Sequence, residues 1–393
     1  MSDTHVLLFP SSYPSSHSPI RGIFFREQAE ALQERVGRVG VVYPEYRRLR
    51  SFRPSSLRKN YWQVTVRKED GLPTARRHGW NVPSSWLRGE LLRAQFRDLF
   101  SRYVETFGAP DVLHSHGVFW GGAGARAVSK ETGIPFVHTE HSTGYTRGLF
   151  GSWEKRKIED VLTSSSESIA VSRALARSIT QTVSVQPPRV VPNTVDTDHF
   201  TLPSEPRSSS PFTFLTVAKL KEKKGLDLLL RAFQRAFGET DAVRLEVGGN
   251  GPQARALQDQ AADLGISDQV VFLGALARSE VRERLWRANA FVLPSRVETF
   301  GVVVIEALST GLPVVATRSG GPEEILTDTT GWVVDTEDVG QLCEGMQKAY
   351  EARDDLPRRE RDIRRYVEKN YSYEAVSGIL EKVYDEVLQR SGG

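Results

Sequence analysis

Pro294-Ser295-Arg296-Val297-Glu298-Thr299-Phe300-Gly301-Val302-Val303-Val304-Ile305-Glu306-Ala307-Leu308 sets two carboxylates eight positions apart across a glycine. Two readings compete for this stretch. Propensity favours a buried β-strand over Val302 to Ile305, with both glutamates solvated at its ends. In the other reading Gly301 opens a helix, so that Glu298 sits in the loop before it and Glu306 about two turns in. Amide N–H groups left free at such a start attract phosphate. Glu298 then accepts from sugar hydroxyls beside that phosphate and Glu306 from a ribose, which suits a diphosphate with a sugar at each end.

The residues that follow favour the helix. Thr310-Gly311 stops the element, Leu312-Pro313-Val314-Val315-Ala316 reads as a short buried strand, and Ser319-Gly320-Gly321-Pro322-Glu323-Glu324-Ile325 opens another helix. Glycine lets backbone approach a ligand closely, and Pro with acids suits a first helical turn. Two glycine-bearing helix starts so close together imply one shared anion site.

The wider chain fits an α/β enzyme. Its 393 residues, 39% of them hydrophobic, suit two domains of roughly 150 to 200 residues each. Strand-like apolar runs alternate with helix-like segments, the pattern of parallel sheets. Pro203 to Pro211, rich in Pro and Ser, reads as the linker. No stretch has the length of a membrane span or the core of a secretion signal, and one cysteine, Cys343, permits no intrachain disulfide; the expectation is a cytoplasmic protein. P-loop, His-Glu-x-x-His and Cys-cluster patterns are absent, so phosphoryl transfer by a P-loop and zinc chemistry have no support.

The run from Pro294 to Ile325 resembles the signature of retaining glycosyltransferases of family 4, which have the GT-B architecture and use nucleotide-sugar donors. The resemblance implies two Rossmann-like domains with parallel sheets facing an interdomain cleft. Residues 1–200 then form an acceptor-binding domain, 201–371 a nucleotide-sugar-binding domain, and a C-terminal helix, 372–393, crosses back to the first. Helical spacing of Val376, Ile379, Leu380, Val383 and Val387 agrees with that last element.

Further motifs follow in the family's order. Val217-Ala218-Lys219-Leu220, then Lys223-Lys224-Gly225, is similar to the basic loop that supplies cations to the leaving diphosphate. Family members usually carry Gly-Arg where Ala218-Lys219 stand, and a Lys lacks the bidentate fork of an Arg. Without the resemblance, these lysines read equally as a solvated loop. Glu246-Val247-Gly248-Gly249-Asn250-Gly251-Pro252 resembles a strand and Gly-x-Gly-Pro turn, and Val271-Phe272-Leu273-Gly274 the strand beside the nucleobase, which makes Gly249, Gly251 and Leu273 binding candidates. Thr139-Glu140-His141-Ser142-Thr143-Gly144 resembles the segment whose His, here His141, lies near the transferred sugar. Asp111 to Gly117 resembles a strand end at which His116 faces the cleft; a His capping the strand is the competing reading. Ser18 to Phe25 resembles the loop against donor phosphates and acceptor, which Gly22 fits, while Arg21 meets either a phosphate or solvent. Asp196-Thr197-Asp198 has the form of a metal-binding Asp-x-Asp. It falls inside Val191 to Asp196, which resembles a junction segment of the family, so no metal or other cofactor is expected.

The implied reaction is transfer of a glycosyl group from a nucleoside-diphosphate sugar, uridine first and guanosine second on family frequency, to an acceptor hydroxyl with retention. The resemblance makes His141, Glu298, Lys224 and Lys219 catalytic, and adds Thr299, Phe300, Gly301, Val302 and Glu306 to the binding residues. Two other readings stay open: a GT-B phosphorylase or nucleotide-sugar epimerase, and a basic module binding an anionic polymer.

Charge motivates the last. Residues 47 to 102 hold 14 Arg or Lys against 4 Asp or Glu in a chain of net charge +3. Within them Trp86, Leu87, Leu91, Leu92, Phe96, Leu99, Phe100 and Tyr103 keep helical spacing among Arg88, Arg93, Arg97 and Arg102. Such a helix either lies on an anionic membrane, at the inner face, to meet a lipid-linked acceptor, or packs its apolar stripe on the core. The segment carries no nucleic-acid motif, and a nucleic-acid partner is not expected.

Overall fold

The computed structural model describes residues 2–15, 22–47, 63–80 and 85–392. They form two compact units. The first takes Met1–Val171, Ala176–Val191 and Val376–Gly393; the second takes Ser172–Leu175 and Pro192–Ala375. The Pro- and Ser-rich stretch 203–211 is therefore internal to the second unit. Arg207 anchors it there, pairing with Glu360 and donating to Thr310 O.

In the first unit the strands are β1 (Ser2–Phe9), β2 (Val36–Arg47), β3 (Val64–Glu69), β4 (Leu72–Trp80), β5 (Val112–His116), β6 (Phe136–Glu140), β7 (Glu167–Ala170) and β8 (Arg189–Val190). They lie in the order β3-β4-β2-β1-β5-β6-β7-β8. All pair in parallel except β3 with β4, a hairpin whose two-residue turn is Asp70 (φ 49°) and Gly71 (φ 84°). Its helices are α1 (Ile23–Gln33), α2 (Ser85–Phe107), α3 (Ala123–Thr132), α4 (Ser152–Ser164) and α5 (Arg173–Thr182), the last beginning in the second unit.

The second unit has β9 (Phe212–Val217), β10 (Val243–Gly248), β11 (Val270–Gly274), β12 (Ala290–Leu293), β13 (Val314–Thr317) and β14 (Gly331–Val334) in the order β11-β10-β9-β12-β13-β14. Its pairings are all parallel. Around it run α6 (Leu226–Phe237), α7 (Ala254–Asp263), α8 (Arg278–Arg287), α9 (Val302–Ser309), α10 (Pro322–Ile325), α11 (Val339–Glu351) and α12 (Leu356–Tyr371). Both sheets bury their central strands on both faces, as parallel sheets do.

The valine run is helix, against its local propensity. Gly301 takes φ 94°, ψ 61° and turns the chain into α9, whose Val304, Ile305, Ala307 and Leu308 are fully buried. That face packs on α12, β12 and β13. Tertiary burial outweighs the few tenths of a kcal/mol by which a β-branched residue disfavours helix.

Helix α2 also resolves one way. Leu92, Phe96, Leu99 and Tyr103 are buried and the helix packs on α3, β2 and β4. Arg93, Arg97 and Arg102 pair with Glu90, Glu131 and Asp98. Its apolar stripe belongs to the core and is not free to enter a membrane; the side chains of Trp86, Leu87 and Arg88 lie outside the described residues. No helix among the described residues is long and apolar enough to cross a membrane.

The final helix, α13 (Tyr373–Ser391), contributes Val376, Leu380, Val383, Tyr384 and Val387 to the first unit's core, alongside Val6, Val137 and Ile169. Ile379, which shares the helical spacing, is exposed instead. Tyr384 is fully buried and its hydroxyl meets His114 Nδ1 at 2.7 Å, while His114 Nε2 meets Thr139 Oγ1 at 2.8 Å. Tyr384→Phe keeps the ring and strands one imidazole nitrogen in the core. Its expected cost is about 1 to 3 kcal/mol in a denaturant titration, and no change would show that this bond does not hold the last helix.

Candidate functional site

Parallel sheets present ligand sites at the carboxyl ends of their strands. In the second unit the loops there rest directly on one another. Gly225, at φ 64°, ends a short turn, Glu222–Lys224, and a Cβ placed on it would lie 2.0 Å from Pro294 O. A Cβ at Gly249 would lie 1.9 Å from Ala218 O, and one at Gly251 2.2 Å from Leu220 O. These glycines are needed for loop packing whatever binds there.

That packing brings Lys224 to Glu298. Nζ of Lys224 donates to Oε2 of Glu298, with side chains 16% and 12% exposed. The backbone of Glu298 is also fixed: its N–H donates to Ser319 O at 2.9 Å and its carbonyl accepts from Gly321 N at 3.2 Å. Four residues on, the amides of Val302 and Val303 open α9, with no carbonyl one turn back to receive them. A cation, a carboxylate and a helix start thus share one edge of the sheet.

The second helix start does not add to them. Gly320 N donates to both oxygens of Glu323, at 3.1 and 2.9 Å, and Gly321 N is taken by Glu298. Glu324 accepts from Arg173 N and Ala174 N at 2.8 and 2.7 Å, in the same unit. The shared anion site expected from Gly320-Gly321 is corrected to one: their amides are spent inside the protein.

Other expected residues fall into place less directly. Lys219 is exposed and unpaired by any described acid. The Thr299 carbonyl accepts from Ser172 Oγ at 2.7 Å. Phe300 is buried, edge-on to Tyr371 at 5.9 Å, so its ring is core rather than lining. Leu273 is half-buried on the outermost strand. Glu306 stands in α9, where burial raises its carboxyl above the ordinary value and the Arg278 charge opposes the rise. Asp196 Oδ1 accepts from the amides of Asp198 and His199 at 3.0 and 2.8 Å, a local turn that engages the first acid of the Asp-x-Asp.

In the first unit, β5 (Val112–His116) and β6 (Phe136–Glu140) are buried throughout, yet read His-Ser-His and His-Thr-Glu. Several of their polar groups bond one another, although His116 Nε2 and His138 Nε2 are buried without a hydrogen bond among the described residues. Ser115 Oγ meets His138 Nδ1 at 2.8 Å, and His116 Nδ1 meets His141 Nε2 at 3.1 Å. Glu140 Oε1 accepts from the amides of His141 and Ser142 at 2.8 and 2.9 Å; Oε2 accepts from Tyr145 Oη at 3.2 Å and Val118 N at 3.3 Å. The structure therefore brings His116 and His141 together. Gly22 starts α1 at φ 77°, where a Cβ would lie 2.5 Å from Ser12 O, and the next turn sets Phe25 4.8 Å from the His116 ring and 5.3 Å from His141. Arg21 lies outside the described residues.

Burial holds these imidazoles neutral. It lowers His114 from 6.5 to about 3, His116 well below 6.5, and His141 to about 4 despite the opposing charge of Glu140. Burial pushes the Glu140 carboxyl up, but His138 and the His141 amide outweigh it and leave it at about 2. Glu140 was not expected from the sequence. A Glu and three His inside strands that should be uniformly apolar were the signal.

Two Rossmann-like units, each with its functional groups gathered at strand ends, define a GT-B fold. Residues 200–369 match the family described as Glycosyl transferases group 1, and residues 22–199 that described as Glycosyltransferase Family 4. The chain is 31% identical over 317 residues to D-inositol 3-phosphate glycosyltransferase of Frankia alni, covering 72% of this chain and 75% of that one. It is 29% identical over 290 residues to a component of the phosphatidylinositol N-acetylglucosaminyltransferase of Homo sapiens, covering 73% of this chain and 60% of that one. Over 168 residues it is 34% identical to the GDP-mannose-dependent alpha-(1-6)-phosphatidylinositol monomannoside mannosyltransferase of Mycolicibacterium smegmatis, 39% of this chain and 44% of that one. The match spans less than two thirds of these last two relatives. Among solved structures, sucrose-phosphate synthase from Thermosynechococcus elongatus shares the fold at TM-score 0.76 and 19% identity, over 98% of this chain and all of that one. Anabaena Alr3699/HepE in complex with UDP and glucose does so at 0.71 and 16%, over 97% and 99%. The chain belongs to glycosyltransferase family 4.

The neutral imidazoles set a pH dependence. Above 6.5 they are uncharged folded or unfolded; below it the unfolded chain binds protons that the folded one refuses, down to about 4 for His141 and about 3 for His114. Stability should therefore fall as pH drops through that window, by about 1.4 kcal/mol per unit for each such histidine. Denaturation curves from neutral pH down to about 4 check this, and a flat profile contradicts it.

Proposed function

We propose that the protein is a retaining glycosyltransferase that moves a sugar from a nucleoside-diphosphate sugar, uridine in preference to guanosine, to an acceptor hydroxyl without a metal ion. The observation that carries the reading is the Lys224–Glu298 pair beside the opening amides of α9. Departure of a diphosphate builds negative charge. Lys224 and the amides of Val302 and Val303 are cationic or dipolar groups fixed in place before that charge develops, which is where electrostatic stabilisation is most effective, and exposed Lys219 adds a second cation nearby in sequence. Glu298 orients the sugar, and Glu306 accepts from the ribose. In the free protein the lysine and carboxylate satisfy each other; a donor replaces that pairing with phosphate on one side and hydroxyls on the other.

His141 is the first unit's part in this reading. Held neutral by burial, it offers a hydrogen bond to a sugar hydroxyl without adding charge. Retention needs no carboxylate nucleophile if the acceptor proton passes to the departing phosphate oxygen. The acceptor class is a lipid-linked or free polyol. Three relatives support it by name, being enzymes of inositol phosphate, phosphatidylinositol and phosphatidylinositol monomannoside. An acceptor of the lipid kind places the protein at the cytoplasmic face of a membrane as a peripheral partner.

A thermal-shift screen of uridine and guanosine diphosphates and their sugars should show one base family stabilising the fold, by about 2.7 kcal/mol at a hundredfold its dissociation constant. With that donor, Lys224→Ala and Glu298→Ala should each lower kcat about a hundredfold or more while the melting temperature stays near wild type. Wild-type turnover by Glu298→Ala would remove the site assignment. Sugar 1-phosphate formation from donor and phosphate without acceptor would instead point to a phosphorylase.

A further inference from the structure

Arg296 lies within the signature run but outside its pattern of acids and glycines. Its guanidinium ties together three loops at the carboxyl ends of β9, β12 and β14. Nη1 and Nη2 form a fork on Asp227, at 2.7 and 2.8 Å from the two carboxylate oxygens. Nη1 also donates to Glu222 O at 2.6 Å, and Nε to Glu337 Oε1 at 2.5 Å. The Arg296 amide donates to Lys223 O at 2.9 Å. The side chain is 22% exposed, so these contacts are partly shielded from water.

Geometry explains why the clasp matters. Lys219, Lys221, Lys223 and Lys224 fall within residues 219–224, and like charges so near in sequence repel each other. Arg296 holds the Glu222–Lys224 turn by two of its carbonyls and by Asp227, the first-turn acid of α6, so that Lys224 meets Glu298 two residues further along Arg296's own loop. Glu337 is one of two non-glycine residues in left-handed backbone among the described residues, at φ 61°, a strained conformation that its partner helps to hold. The charge of Arg296 is matched by Asp227 and Glu337, so it is committed within the protein.

We infer that Arg296 is a positioning residue: by clasping the 222–227 turn, it sets Lys224 against the leaving diphosphate and acts on catalysis only through that lysine. The inference rests on the donor-site reading above. A bidentate fork is what an arginine supplies and a lysine cannot, and misplacing a catalytic group by about 1 Å can cost about a hundredfold in rate.

The test has two arms. In the first, hydrogen exchange is followed in the free protein at the amides of Lys224 and Gly225, which donate to Lys221 O at 2.9 Å and Glu222 O at 3.0 Å. Arg296→Ala should speed exchange there at least about tenfold while the amides of β9 and β12 keep wild-type protection. Unchanged exchange at Lys224 and Gly225, or faster exchange throughout the unit, overturns the clasp, and this arm needs no substrate. The second arm compares turnover of Arg296→Ala, Lys224→Ala and the double variant with the donor found by thermal shift. Arg296→Ala should lower kcat about tenfold or more with KM changed less than about threefold, and should cost less than about threefold further in the Lys224→Ala background. Additive losses overturn the inference, as does full activity in Arg296→Lys, which keeps the charge without the fork. If instead Lys224→Ala itself turns over like wild type, the donor-site reading fails while the exchange result stands.

Discussion

Backbone resting on backbone is the constraint on which the second unit's site depends. At four places where loops at the carboxyl edge of the sheet touch, a glycine's missing Cβ makes room for backbone: Gly225 under Pro294, Gly249 under Ala218, Gly251 under Leu220, and Gly321 against Phe300. Side chains could not fill these places without moving the loops apart. Close approach is what lets a lysine from one loop reach a carboxylate on the next, and it leaves the opening amides of α9 at the same edge.

The first unit solves a different problem. Its central strands carry imidazoles and a carboxylate where a parallel sheet usually carries valine and isoleucine. An unpartnered polar group there costs stability, so His114, Ser115, His138 Nδ1 and His116 Nδ1 are each matched to a neighbour on or just beyond the adjoining strand or on the last helix. The result keeps His114, His116 and His141 neutral beside an ionised Glu140, with His141 held from one side by His116 while Glu140 organises the turn that follows it. Neutrality and a hydrogen-bonded neighbour suit a group that must present a hydrogen bond in a fixed direction.

Much of this was legible in the chain. Alternating apolar runs indicated parallel α/β layers, and the spacing of Glu298, Gly301 and Glu306 marked a loop, a helix start and a helix interior in the right order. His116, His141, Lys224 and Glu298 were each singled out by their place in a resembled pattern; that they meet in pairs was not. Less legible was which polar groups are consumed internally. Gly320-Gly321 looked like part of one anion site shared with Gly301, and the basic amphipathic helix α2 suited a membrane as well as a core. In both cases the deciding partner, Glu323 or a buried sheet face, satisfies the feature from within.

By itself, the sequence determined where the strands and helices fall, which glycines can adopt left-handed backbone, and which residue types gather at strand ends, because these depend on local sterics and on periodic burial. Tertiary structure alone decided that His116 meets His141, that Phe300 is core, and that Arg296 joins three loops. Those outcomes turn on contacts between segments tens of residues apart, whose energies exceed any local preference and leave no periodic trace along the chain.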